Sequence, residues 1–147
     1  MVQDESDWVA ELGAGVSFAS FLGRTRIDSE TGDLNRLDLT AMVDLWRVNL
    51  EATYTEVADP AAARAFEELR ASAQIALTDT VTVFYDTIRD IEQQEDRRVQ
   101  AGFQYRDECT DFRVFYEREE TRIGDLGPNE SIKFEIILFT LGGVGED

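Results

Sequence analysis

Of the side chains that could do chemistry, this chain offers one thiol and many carboxylates. Cys109 is its only cysteine, histidine is absent, and 31 acidic residues stand against 14 basic ones for a formal net charge of -17. Without histidine the usual general base, triad partner and zinc ligand are missing together. A single cysteine forms neither an internal disulfide nor a cysteine-rich metal site. Catalysis by a pair of carboxylates stays open in principle, but no Asp/Glu pair stands out from the acidic background. The stretch "DSETGDLN" has neither the ligand spacing nor the terminal Glu of an EF-hand and reads as an acidic turn. The expectation is therefore a chain with no catalytic residue, no metal site and no cofactor. The acidic balance also argues against nucleic acid, or an anionic membrane surface, bound through a basic face.

Cys109 marks the place where a pattern breaks. In "RRVQAGFQYRDECTDFRVFYERE" apolar and polar residues alternate, stop at "DEC", and resume. That is the signature of two strands joined by a tight turn. The same period of two runs through "LDLTAMVD", "RVNLEATYT", "LRASAQIALT", "VTVFYDTI" and "SIKFEIILF". It predicts an all-β chain of eight strands near 8–27, 35–44, 46–57, 66–77, 80–91, 97–107, 109–121 and 131–141, the first of them Gly-rich and long enough for one long strand or two short ones. The chain is long enough for one domain, spanning 1–147. The segment "DPAAARAFEELRASAQ" could begin with one helical turn, capped by Asp59 with Pro60 behind it.

The connections add a second pattern. Those around Leu45, around Asp79 and at 107–109 are tight, whereas "DSETGDLN", "EVADPAAARAFEE", "DIEQQEDR" and "EREETRIGDLGPNE" are longer and polar. Alternation of tight and long places all tight turns at one end of an up-and-down meander. Outer-membrane barrels have this asymmetry, with short periplasmic turns and long outer loops. An even strand number puts both ends of the meander on the tight-turn side.

Period two leaves open which face is wet. An apolar face turned inward gives a soluble antiparallel barrel or sandwich, such as an eight-stranded barrel holding a small apolar ligand. An apolar face turned outward gives a transmembrane barrel with a polar lumen. The polar positions mix both signs, Arg47, Arg70, Arg98, Arg106, Arg113 and Lys133 with Glu51 and Glu135. Aromatic residues gather toward strand ends, and the apolar face is rich in Ala and Val. These features favour the transmembrane reading. There is no apolar run of membrane-helix length, and "MVQDESDW" has no signal-peptide pattern, so by itself the start reads as cytosolic unless the chain is a fragment.

The segment "ELRASAQIALTDTVTVFYDTIRDIEQQEDRRVQAGFQYRDECTDFRVFYERE", followed by "SIKFEIILFTLGGVG", resembles the C-terminal barrel strands of the lipopolysaccharide-assembly protein LptD (OstA), especially its alphaproteobacterial type. "LDLTAMVDLWRVNLEATYTEVADP" is similar to the preceding hairpin, so the likeness covers roughly 35–145. The order and spacing of "ELR", the "LTD" turn, "Y-DEC" and the final apolar strand carry it.

The resemblance implies a cell outer membrane location and a role in releasing lipopolysaccharide into the outer leaflet through a lateral gate. It implies four partners: lipopolysaccharide, an LptE-like lipoprotein plug, the barrel-assembly machinery and outer-membrane lipid. Arg98, Gln104, Arg113, Lys133 and Glu135 would face the lumen. Ile132, Phe134, Ile136, Leu138 and Phe139 would form the insertion signal and one side of the gate, by strand addition at an exposed edge. Cys109 would correspond to a cysteine that bonds to the family's periplasmic region, a partner this chain does not contain. The family's N-terminal jellyroll and most of its barrel strands are also absent from this sequence, so the expectation is a piece of a larger barrel.

Overall fold

The computed structural model describes residues 7–58, 66–120 and 127–139. They form one nine-stranded sheet and no helix: β1 (Trp8–Val16), β2 (Ala19–Ile27), β3 (Leu34–Leu45), β4 (Val48–Val57), β5 (Phe66–Ala76), β6 (Val81–Asp90), β7 (Glu95–Arg106), β8 (Thr110–Glu119) and β9 (Asn129–Leu138). Every strand pairs antiparallel with its sequence neighbours, in the order β1 to β9. The fold class is thus all-β, antiparallel and up-and-down. The segment 59–65, where a helical turn was expected, lies outside the described residues.

The strand count is nine, not eight, because the stretch 8–27 is a hairpin. Its turn is Ser17 and Phe18, with Val16 opposite Ala19. Neither turn residue is a Gly, Asn, Asp or Pro that would mark a two-residue turn from sequence. The next tight turn hides its signal too: Trp46 takes φ 46°, a left-handed value uncommon for a bulky residue. Arg47 lies within that turn, not on the polar face of β4. Its guanidinium stacks over Trp46 at 5.0 Å and donates to the Leu77 carbonyl (2.9 Å) and Asp79 (3.1 Å), tying two neighbouring tight turns together.

Nine strands change the ends. The connections 17–18, 46–47, 77–80 and 107–109 lie at one end of the sheet, and 28–33 and 91–94 at the other, where β4 and β8 also end and β5 and β9 begin. The connection 91–94 is as short as 77–80, so "DIEQQEDR" is not a long loop. β1 begins at the long-connection end and β9 finishes at the tight-turn end. The expected placement of both ends on one side therefore does not hold. Nor do the first and last strands pair, and both edges of the sheet stay open among the described residues.

Two bulges shift the register. Ile27 pairs with Leu34 after Arg26 pairs with Arg36, skipping Asn35. Arg89 pairs with Asp96 after Ile88 pairs with Arg98, skipping Arg97. A bulge adds one residue and re-aims its side chain.

Close approach of β7 and β8 depends on Gly102. A Cβ there would sit 2.3 Å from the Val114 carbonyl oxygen and 2.5 Å from the Phe115 Cβ. Phe115, the one buried apolar residue among those described, stands opposite Gly102, with its ring centroid 6.1 Å from that of Phe84. Gly102→Ala should cost roughly 3 kcal/mol, the top of the usual overpacking range, because the atoms it meets are backbone and a Cβ that cannot swing aside. Denaturant titration of the folded chain measures it, and an unchanged midpoint would contradict the close approach.

Candidate functional site

The two faces of the sheet differ in chemistry and in exposure. One carries, from β6 to β9, Thr82, Phe84 and Asp86; Arg98, Gln100, Gly102 and Gln104; Asp111, Arg113, Phe115 and Glu117; and Ser131, Lys133 and Glu135. The buried carboxylates lie on this face: Glu68 (6% exposed), Asp90 (4%), Asp111 (5%) and Glu117 (7%). Residues from Arg36 on β3 to Arg98 on β7 line a single recess of about 630 Å³ here. A smaller recess of about 350 Å³ lies on the apolar face between Ala41 and Tyr85; the larger recess and all four buried carboxylates mark the polar face as the sheltered, concave one.

Each buried carboxylate is matched, as burial of charge demands. Asp111 accepts from Gln104 (2.7 and 2.8 Å) and from the Arg106 Nε (2.9 Å). Glu117 accepts from Gln100 and from Lys133 on the neighbouring strand. Glu68 accepts from Arg70 (2.5 Å), and Arg97 bridges it at 3.7 Å to Asp90 at 2.7 Å. Further along, Asp38 binds Arg36 (2.7 Å) and Thr55 (3.0 Å), and Glu11 binds Arg24 (2.7 Å). Arg113 lies 3.7 Å from Glu135 and 5.0 Å above the Phe84 ring. The result is a surface of paired charges of both signs running across the sheet.

Arg98, Gln104, Arg113, Lys133 and Glu135 all fall on this concave face. Arg97 is the residue that alternation misplaces: counted from Val99 by twos it belongs to the apolar face. The bulge turns it inward, beside Arg98, where it holds two carboxylates. The doubled "RR" at a strand start, with a charge in an apolar position, is the only trace of this in the sequence.

The opposite face is apolar and exposed. On β9 it presents Ile132, Phe134, Ile136 and Leu138, each 63–71% exposed. Phe139 follows, its N–H donating to the Cys109 carbonyl at 2.8 Å. Neighbouring strands continue the surface with Phe112, Val114 and Tyr116, then Val99, Ala101, Phe103 and Tyr105. The outward residues of β3 from Leu37 to Leu45 carry no charge; eight residue steps are about 26 Å along a strand. Outward charges occur only toward the long-connection end: Glu56 opposite Leu37, Glu67, Arg89, Arg118 and Glu130. Sequence reading did not single out this border, because it emerges only when the strands are set in register. Not every aromatic lies at a strand end, however. Tyr85 is mid-strand, between Ala73 and Ala101.

Cys109 is exposed, with a free thiol, in the turn 107–109. Asp107 organises that turn by accepting from the N–H groups of Cys109 (2.9 Å) and Thr110 (2.8 Å) and from the Tyr105 hydroxyl (3.0 Å). The Cys109 N–H above all, then the other two donors, hold its carboxyl below the usual carboxylate range. A depressed acid stabilises above its unfolded pKa, and that contribution is lost as pH falls through the folded value. Two outcomes are expected. Maleimide should label Cys109 in the folded chain nearly as fast as in the unfolded one. Amide-exchange protection at Cys109 and Thr110 should disappear below the ordinary carboxylate range, and at every pH in Asp107→Ala. A thiol unreactive until denaturation would contradict the exposed turn.

Among the described residues no group of three His, Cys, Asp or Glu side chains is arranged to hold a metal ion. No family model and no curated protein matches the chain.

Proposed function

We propose that this chain is a segment of an outer-membrane β-barrel wall in a lipopolysaccharide translocon of the LptD type. In this reading β9 forms one side of the lateral gate. The observation that carries the membrane part is the inverted polarity of the sheet: paired carboxylates buried on the concave face, exposed apolar residues on the convex one. At a tilt near 40°, the charge-free stretch of β3 spans about 20 Å of membrane thickness, close to the roughly 25 Å apolar band of such barrels. Charges return at the long-connection end, where the lipid headgroups of the outer leaflet would begin. The lipopolysaccharide part rests on the resemblance of strands β5 to β9 to the family.

In this role the chain performs no catalysis. The concave face, with charges of both signs at Arg98, Gln104, Arg113, Lys133 and Glu135, suits a polypeptide plug of the LptE kind. The exposed edge of β9 suits strand addition to the barrel-assembly machinery. Cys109, at the tight-turn and hence periplasmic end, is placed for a disulfide to a periplasmic region, in an oxidising compartment.

Spin labels at Phe103 and Gln104, in a Cys109→Ser background, test the membrane reading. A lipid-soluble relaxation agent should reach position 103 and a water-soluble one position 104. The reverse order, or a chain folded and monodisperse without detergent, would favour a soluble barrel holding an apolar ligand. A photo-crosslinker at Ile136 in the assembled translocon tests the gate. Lipopolysaccharide adducts no more frequent there than at Val83, far from the edge, would refute it.

A further inference from the structure

The convex face is hollowed in one place. The recess of about 350 Å³ there has a floor of Ala52, Ala71 and Ala73 and walls of Val43, Leu50 and Tyr85. Ala52 stands opposite Ala71, and Ala73 between Leu50 and Tyr85. Three alanines side by side on neighbouring strands leave a hollow, and the larger residues border it. On a lipid-facing surface such a hollow fits a flexible hydrocarbon chain.

Toward the long-connection end the same strands carry charge. Glu56 stands directly opposite Glu67, an arrangement of like charges that destabilises a strand pair. Both side chains are half-buried, and neither has an ion-pair partner among the described residues. The Tyr54 hydroxyl donates to Glu56 at 3.3 Å and feels the charge of Glu67 as well. Arg89, opposite Leu69 and so diagonal to Glu67, meets Asp96 at 3.5 Å. Three carboxylates thus share one guanidinium, and this part of the border is short of a cation.

We propose that this face binds a glycerophospholipid whose zwitterionic head ends in a primary ammonium. The ammonium sits between Glu56 and Glu67, the phosphate beside Arg89, and one acyl chain runs down to the recess. The lengths agree. From Glu56 to Leu50 is six residue steps, about 20 Å along the strand. At a tilt near 40° that is about 15 Å of depth, half of the roughly 30 Å hydrocarbon core and so the reach of one chain. A polyanionic head would add to the excess of negative charge at the border. A divalent ion alone would offset the charge and leave the recess unfilled. The step rests on the membrane reading, but not on its lipopolysaccharide part.

Phosphatidylethanolamine and phosphatidylglycerol, each with a photoreactive group at the end of one acyl chain, provide the test. Each is added as a trace to phosphatidylcholine vesicles holding the folded chain, and adducts are mapped by mass spectrometry. Adducts at Leu50, Ala73 and Tyr85 should be about fivefold more frequent with the ethanolamine head, the most that one exposed ion pair supplies. Adducts at Phe134, on the same face but without an acidic pair, should show no preference. Glu56→Gln combined with Glu67→Gln should abolish the preference in the recess and leave folding intact, since it removes only a like-charge contact. Ala73→Leu fills the recess and should lower adducts there with either head. A preference that is absent, or that survives the double substitution, overturns the proposal, as do unchanged adducts in Ala73→Leu. So does displacement of the ethanolamine probe by lipopolysaccharide with magnesium ions, which would make the acid pair a metal bridge. Failure of the membrane reading, which would take the site with it, shows separately as no adducts anywhere on the convex face, Phe134 included.

Discussion

Arginine in place of Phe103 should destabilise the bilayer-embedded chain by about 2–4 kcal/mol, the cost of a cation at mid-depth on the lipid face of a barrel. Phe103 lies mid-band on the convex face, between Val83 and Val114, with its ring centroid 6.2 Å from that of Phe112. The control is Gln74→Arg. Gln74 stands opposite Asn49 and Phe84 on the concave face, where a further cation meets water and carboxylates. It should change stability by no more than about 0.5 kcal/mol. Unfolding by denaturant in lipid vesicles measures both. Equal costs at the two positions would mean that the faces do not divide lipid from water. A larger cost at Gln74 would put the apolar face inside.

The second large effect is expected at the bulge. Arg97→Ala should cost about 3 kcal/mol, the lower end of the range for breaking a buried ion pair. It is the lower end because the guanidinium is 43% exposed and Glu68 keeps Arg70. What the substitution removes is a cation 2.7 Å from one nearly buried carboxylate and 3.7 Å from another. The Arg97 guanidinium also lies 5.0 Å over the Phe66 ring, fastening the start of β5. Arg98→Ala is the comparison. Arg98 points into the large recess, whereas Arg97 lines a smaller one with Asp90 and Gln93. Arg98 serves Asp86 and Glu117 only at longer range, so it should cost no more than about 1 kcal/mol. If the two substitutions proved equivalent, the bulge would not be aiming Arg97 inward.

These experiments separate what the linear pattern carries from what it does not. Alternation by twos places the concave set Arg98, Gln104, Arg113, Lys133 and Glu135 on one face and Ile132, Phe134 and Ile136 on the other. It does so because successive side chains on a strand must point to opposite sides. It also locates the turn at Cys109, where Asp107 provides the side-chain acceptor that tight turns favour. The antiparallel meander follows from short polar connections between such strands. All of this is local chemistry and is present in the order of residues.

The hairpin within 8–27 is a different case. Its length and glycines allow two short strands, but its turn, Ser17 and Phe18, has only a serine, a weak turn former, to mark the place; the pairing of β1 along β2 decides it. Arg97 fails for the opposite reason. Its parity is clear but wrong, because an extra residue opposite Ile88 shifts every position before Arg98 to the other face. The charged border at Glu56, Glu67, Arg89, Arg118 and Glu130 depends on register between strands, a relation that no single strand encodes. Most of all, period two states that one face is apolar and is silent about which face is concave. Curvature decides that: it brings Arg36 of β3 and Arg98 of β7 to the walls of one recess although only neighbouring strands touch. The sequence by itself determined strands, alternation and turns. Only the tertiary structure decided their number, their direction at the edges and the side on which the charges are sheltered.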